Sequence, residues 1–356
     1  MLSAGFRQTA NGYTAMALHD IWSGSRRNYD VLSHAIRECE SHKPGLINEF
    51  NDDTLWWGLL CLHMFTIRHE QFFLEKAQGI WKHVERQYVC RRGRVTFRDM
   101  DMEGACFWTS KDGEEQINAI TTGLFAELSV RLAMADPQHA TSHHHSLSSL
   151  FKRKEISGGE YVEAARCSLG WILRYRYRYP EHLVLDNILL QKQEARDWTF
   201  TYTTGVTLGV SALLFQQTGE VENFELACEM AQKAIQRDIW VESNGVLTER
   251  GTYGKDNHRP DQNDDAIGFK SILVRHLAIL YDVIRRAGSS ATPQAQRTAE
   301  HIRQFIAINM SSQLDRNTNG NGQYGPWWNG PFEMPTSHSQ MAVLDLMAAA
   351  VLVNRS

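Results

Sequence analysis

Two Asn-Asp-Asp runs offer the most concentrated chemistry in this 356-residue chain: Asn51-Asp52-Asp53, followed by Thr54-Leu55-Trp56-Trp57, and Asn263-Asp264-Asp265, followed by AIGFKSILVRHLAIL. Each stands where a helix is expected to begin. A helix start favours charged carboxylates, whereas repulsion between two adjacent carboxylates favours leaving one of them protonated. That conflict can prepare one group as a nucleophile and the other as an acid, with Trp56 and Trp57 supplying a sugar-facing wall. The same residues also read as a simple helix cap plus an exposed acid, since consecutive helical side chains do not face each other. Spacing alone does not choose between the two pairs. The second has Lys270 and Arg275 downstream, which could hold polar substrate groups or form ordinary ion pairs.

The elements that must position these carboxylates are helical. Apolar residues recur at helical spacing over 9–38, with an interruption at SGSRRNY, and again from about Asp53 through Phe65. A further helix begins near residue 71, and others are expected at 117–135, 159–177, 202–217, 221–239, 265–286, 293–313 and 337–353. In several pairs a helix of small and apolar residues precedes a more charged one, as in GVTLGVSALLFQQTGEVENFELACEMAQKAI. This suits inner helices surrounded by outer helices with one wet face. The expected fold class is all-α, a single domain over 1–356 built as an (α/α)6 toroid of helical hairpins, although an open solenoid shares the local pattern. The loops at 91–115, 241–264 and 317–336 are rich in polar and aromatic residues and are expected to carry recognition. Trp108, Tyr253, Asp256, Trp327 and Trp328 lie in them.

Composition narrows the partners. With 37 basic against 41 acidic side chains, the chain has no global attraction for nucleic acid or anionic membrane. The basic stretch RYRYRYP at 174–180, read as helical, spreads its side chains too widely for a nucleic-acid site. Six scattered cysteines make neither a disulfide scaffold nor a zinc ribbon. The tract His143-His144-His145 has no completing ligand, and His258, near Arg259 and Asp261, reads as loop electrostatics, so no metal site is expected. NGNGQYG lacks the strand and helix of a dinucleotide site. The terminal AVLDLMAAAVLVNRS is short for a membrane span, and no secretion signal is visible at the amino terminus.

Across much of its length the sequence resembles glycoside hydrolase family 76, the α-1,6-mannanase family with its fungal cell-wall relatives. The resemblance rests on NDDTLWWGLL at 51–60, QINAITTGLFAELSVRLA at 116–133, FTYTTGVTLGVSALLFQQTGE at 200–220, GVLTE at 245–249, GFKSILVRHLAIL at 268–280 and GPWW at 325–328, in that order. It implies an α/α toroid, a glycan cleft and retaining, endo-acting hydrolysis of α-1,6-linked mannan or manno-oligosaccharide. Asp52 would be the nucleophile and Asp53 the general acid/base, and no metal or organic cofactor would be required. It also implies an extracellular or cell-wall setting.

The expected substrate contacts are Trp56, Trp57, Trp108, Tyr202, Tyr253, Trp327 and Trp328 as aromatic surfaces, with Asn118, Asp256 and Lys270 as polar groups. One departure stands out: the family's TYN-like segment reads Thr201-Tyr202-Thr203 here. A cell-wall transglycosylase using the same covalent intermediate is the enzymatic alternative. A catalytically inactive carbohydrate-binding protein and a peptide-binding helical scaffold are the non-enzymatic ones.

Overall fold

The computed structural model describes residues 5–136, 156–249 and 264–355. Among them are eleven α-helices: α1 (Phe6–Ser23), α2 (Tyr29–His42), α3 (Asn51–Arg68), α4 (Gln71–Gln87), α5 (Ala119–Ala135), α6 (Gly158–Tyr175), α7 (Thr201–Thr218), α8 (Val221–Ala234), α9 (Phe269–Ala287), α10 (Pro293–Arg316) and α11 (Ser337–Val353). The odd-numbered helices pack in series, α1 on α3, α3 on α5, α5 on α7, α7 on α9 and α9 on α11, and α11 returns to α1. Four even-numbered helices pack against this series: α4 on α3 and α5, α6 on α5 and α7, α8 on α7, and α10 on α9 and α11. A single apolar cluster draws residues from all eleven helices.

Burial follows this division. Helix α5 buries fourteen of its 17 residues, whereas α4 buries only Phe73, Ala77, Ile80, Trp81 and Val84, the one stripe that helical periodicity allows. A helix buried all round must satisfy its own polar side chains. In α7, Thr207 donates to the Thr203 carbonyl at 2.9 Å and Ser211 to the Thr207 carbonyl at 3.0 Å; Ser129 does the same in α5. Small residues then permit close helix approach. A methyl group at Gly205 would lie 2.8 Å from the Leu273 backbone, so α7 and α9 meet main chain to main chain.

Buried ion pairs tie the inner helices together. Arg275 of α9 donates to Asp345 of α11 at 2.8 Å and to both the side chain and the carbonyl of Asn11 of α1. His276 of α9 reaches past α7 to Glu127 of α5 at 2.9 Å.

The all-α expectation needs one correction. Strands β1 (Thr96–Phe97) and β2 (Met100–Asp101) form a small hairpin. A four-stranded antiparallel sheet is made by β3 (Gln116–Asn118), β4 (Tyr177–Arg178), β5 (Leu183–Leu189) and β6 (Glu194–Thr199), with β5 bonded to the other three. RYRYRYP is therefore not one helix: α6 ends at Tyr175 and the chain crosses into β4. The run LVLDNIL, bounded by turns and almost wholly buried, reads in retrospect as an interior strand. Asp264 and Asp265 belong to a short 3-10 turn ahead of α9.

Two glycine substitutions test the close packing. Gly205→Ala should destabilise the protein by about 1–3 kcal/mol through the clash with the Leu273 backbone. Gly79→Ala, in the middle of α4 with nothing near its added methyl, should stabilise it by about 0.5–1 kcal/mol. Urea unfolding of both variants checks the contrast in sign.

Candidate active site

Because the inner helices alternate with outer ones that run back, the inner helices all begin at one end of the molecule. Arg7, Asp52, Asn118, Tyr202, Phe269 and His338 each lie in the first turn or at the cap of a different odd-numbered helix. First-turn amide groups and the positive ends of six helix dipoles converge there.

The Asn51-Asp52-Asp53 turn is fixed by the 91–115 loop. Asn51 N–H donates to the Trp108 carbonyl at 2.8 Å, and the Asn51 side-chain amide donates to the Phe107 carbonyl at 2.9 Å. Phe50 stacks on Trp108 with ring centroids 4.7 Å apart. Neither aspartate is the N-cap, because that position is Phe50, which offers no side-chain cap. The two carboxylates part company: Asp52 is 5% exposed, while Asp53 is half-buried and accepts from the Asn48 side chain at 2.9 Å.

Burial raises the Asp52 pKa above the ordinary carboxylate value, against the opposing pull of the Arg7 charge, of the Asp53 amide 3.0 Å from its Oδ1, and of a hydrogen bond from the Trp108 side chain. A third carboxylate stands near it. Asp186, in the middle of β5 and 7% exposed, is pushed up to about 6 by burial, with the Asp52 charge acting in the same direction and Arg176 against it. Its Oδ2 accepts from Asn187 at 2.8 Å, while its buried Oδ1 has no hydrogen-bond partner.

Tyr202 links the carboxylates to an adjoining cleft. Its ring stacks on Phe269 at 4.2 Å and 12°, and burial, together with the charges of Asp186 and Asp52, holds its hydroxyl protonated. The cleft has a volume of about 40 Å³ and is lined by Arg7, Asn11, Trp56, Tyr202 and Phe269 among others. Beneath Tyr202, buried Glu249 accepts from the Thr201 amide at 2.7 Å and the Thr201 hydroxyl at 2.6 Å, closing the start of α7. Lys270 is lowered to about 8 by burial, partly offset by the Glu249 charge.

The structure brings Asp52, Asp53, Trp56, Trp108 and Tyr202 to this end of the molecule. Other expected contacts are spent elsewhere. Trp57 has no exposed surface; it packs against Phe6 and Tyr13 and donates to the Phe6 carbonyl, because one residue along a helix turns a side chain by about 100°. Trp328 is equally enclosed, with the Lys270 ammonium 5.4 Å from its ring. Lys270 itself is 1% exposed and donates to the Ile267 carbonyl at 3.0 Å. Asn118 is the N-cap of α5, accepting from the Thr121 amide. Trp327 is half-buried against Ala266 and Ile267.

Tyr253 and Asp256 lie outside the described residues, as do Asn263, His258 and the 143–145 histidines. Among the described residues, no group of three or more His, Cys, Asp or Glu is placed to hold a metal ion, and no helix is long and apolar enough to cross a membrane.

Sequence reasoning missed Arg7, Asn48, Arg176 and Asp186. Only Asp186 carried a readable sign, a lone carboxylate inside an apolar strand-like run, which is costly unless it is used.

Solved structures share this fold. An α-1,6-mannanase, GH76A of Salegentibacter sp. HEL1_6, superimposes with a TM-score of 0.77 at 21% identity, covering 99% of this chain and 90% of that one. An inactive variant of that enzyme with two adjacent Asp-to-Asn substitutions, in complex with α-1,6-mannotriose, gives 0.76 at 20% identity over 98% and 90% of the two chains. Dfg5 from Chaetomium thermophilum, in complex with glucosamine, gives 0.73 at 14% identity over 99% and 81%. No curated protein matches the chain. The sequence pattern of glycosyl hydrolase family 76 matches residues 39–356, and the chain belongs to that family.

Asp186→Asn tests the electrostatics. A carboxyl whose folded pKa is about 6 and whose unfolded value is near 4 loses stabilisation as pH rises between those values. The amide variant should therefore be more stable than the parent at pH 7, by up to roughly 3 kcal/mol, with the gain vanishing by about pH 4. Urea melts at the two pH values read this directly.

Proposed function

We propose that the chain is a retaining, endo-acting glycoside hydrolase that cleaves α-1,6-mannosidic linkages in mannan, working as one (α/α)6 toroid over its whole length. The observation that carries the reading is the division of labour at the start of α3: one carboxylate enclosed among donors, its neighbour half-buried and steered by the Asn48 amide. The return of α11 to α1 supports the closed toroid, and the apolar cluster shared by all eleven helices supports one domain.

In the first step the Asp52 carboxylate attacks the anomeric carbon as the glycosidic C–O bond breaks, and Asp53 gives its proton to the departing oxygen. Asp53 then takes a proton from water as that water attacks the same carbon and releases Asp52. Arg7, the Trp108 side chain and the helix-start amide favour ionised Asp52, the form a nucleophile needs, against the burial that raises its pKa. Asp53, half-buried, has the solvent access that proton exchange with leaving group and water requires. Tyr202, half-buried, gives the apolar face of a sugar ring a surface, while Asp186, with an unpaired buried oxygen, is suited to receive a sugar hydroxyl.

Incubation with α-1,6-manno-oligosaccharides followed by product analysis tests the reading. Shorter oligosaccharides are expected, and Asp52→Asn and Asp53→Asn should each lower turnover by roughly 10²–10⁴-fold while keeping the fold. Sustained binding without product would sink the hydrolase reading in favour of a binding protein, and transfer to added mannosides would replace it with transglycosylation.

The acidic limb of the pH profile is a second check. Activity should rise as Asp52 ionises, above the ordinary carboxylate range. Arg7→Gln, by removing a charge that favours the anion, should move this limb to higher pH by about 0.5–1 unit. An unmoved limb would show that Asp52 ionisation does not control it.

A further inference from the structure

The opposite end of the inner helices holds a second, larger cavity, of about 590 Å³. Its lining comes from the last turns of α1, α3, α5, α7 and α9 together with the start of α4, and most of it is apolar: Trp22, Leu62, Leu74, Met134, Leu213 and Ile279 are representative. His63 stands eleven residues along α3 from Asp52, about 16 Å away at the helical rise, so this cavity is separate from the carboxylate site.

Its polar lining includes Asp282 and Arg286, which neutralise each other at 2.7 Å, and His63 and Arg131. His63 is 4% exposed and lines the cavity, and among the described residues its ring has no hydrogen-bond partner. Arg131 also lines the cavity. Its Nε donates to Glu127 at 2.8 Å, whereas its buried Nη2 has no partner. Leaving a buried donor unmade costs free energy comparable to a lost hydrogen bond, so a guest bringing an oxygen acceptor recovers it.

The charge of that acceptor is constrained. Glu127 already faces Arg131 and also accepts from His276, so the guanidinium is neutralised from within. Five helices present their carbonyl ends here, and their negative poles disfavour an added anion. A cationic head would meet Arg131 directly.

We propose that this cavity is a binding site for a small uncharged amphiphile, an alkyl or acyl body ending in a hydroxyl or carbonyl oxygen that pairs with the unpartnered His63 ring and faces the Arg131 guanidinium. The apolar walls take the body at the usual gain for buried methylene groups. The volume falls within the range of small-molecule sites.

Titration calorimetry of the full chain with 1-octanol, octanoate and octylammonium tests the assignment. Octanol is expected to bind at least about tenfold more tightly than either charged analogue. Arg131→Gln and His63→Leu should each weaken octanol about tenfold, the loss of one hydrogen bond. Thr66→Trp, at an exposed lining position where the fold tolerates bulk, should abolish binding while circular dichroism stays unchanged. Absence of octanol binding to the parent chain overturns the proposal. So does binding that Thr66→Trp leaves intact, or tighter binding of either charged analogue. Each outcome is read without any mannan assay, so it stands apart from the fate of the hydrolase reading.

Discussion

The whole site depends on a directional constraint: each inner helix is followed by a segment that runs back along the outside, so the next inner helix enters the core from the same end. Six helix beginnings thereby meet at one end, and the helix endings gather at the other. The first turn of a helix has amide protons to spare, while the last turn has spare carbonyls. Polarity at the two ends of the molecule is thus set by chain direction before any side chain is chosen. At the first end the buried Asp52 receives an amide hydrogen bond and the Arg7 charge, whereas buried Glu127 and Asp345, further along their helices, rely on His276 and Arg275.

The inner layer pays for its burial in specific ways. Hydroxyl side chains turn back onto their own helix, glycine lets α7 and α9 approach, and Arg275 joins α1, α9 and α11 through Asp345 and Asn11. Arg275 also lies 5.7 Å from the Trp56 ring. The side chain that pins three helices therefore also backs an aromatic wall of the cleft.

Much of the scaffold was legible from periodicity alone, because an amphipathic helix such as α4 and an all-apolar one such as α5 differ in their residues every turn. The adjacent aspartates were legible as chemistry, though not as roles, since the separation between an enclosed Asp52 and an open Asp53 arises from the neighbouring loop carrying Trp108. Trp56 and Trp57 could not be told apart in the sequence; only the direction of α3 relative to α1 decides that one faces the cleft and the other meets Phe6. Asp186 was hidden for a different reason. Its meaning depends on β5 pairing with three other strands and on Arg176, contacts that no local pattern records. The same holds for Arg7, which precedes the residues matching the family pattern and reaches the site only because α1 closes the series of inner helices.

The walls of the cleft come from the starts of several inner helices, so the site is divided among segments distant in sequence. A lengthened or shortened connection can reshape one wall while the helices behind it keep their register. Recognition can change under such an arrangement one segment at a time, while the aspartate pair at the start of α3 stays tied through Asn51 to the connection between α4 and α5.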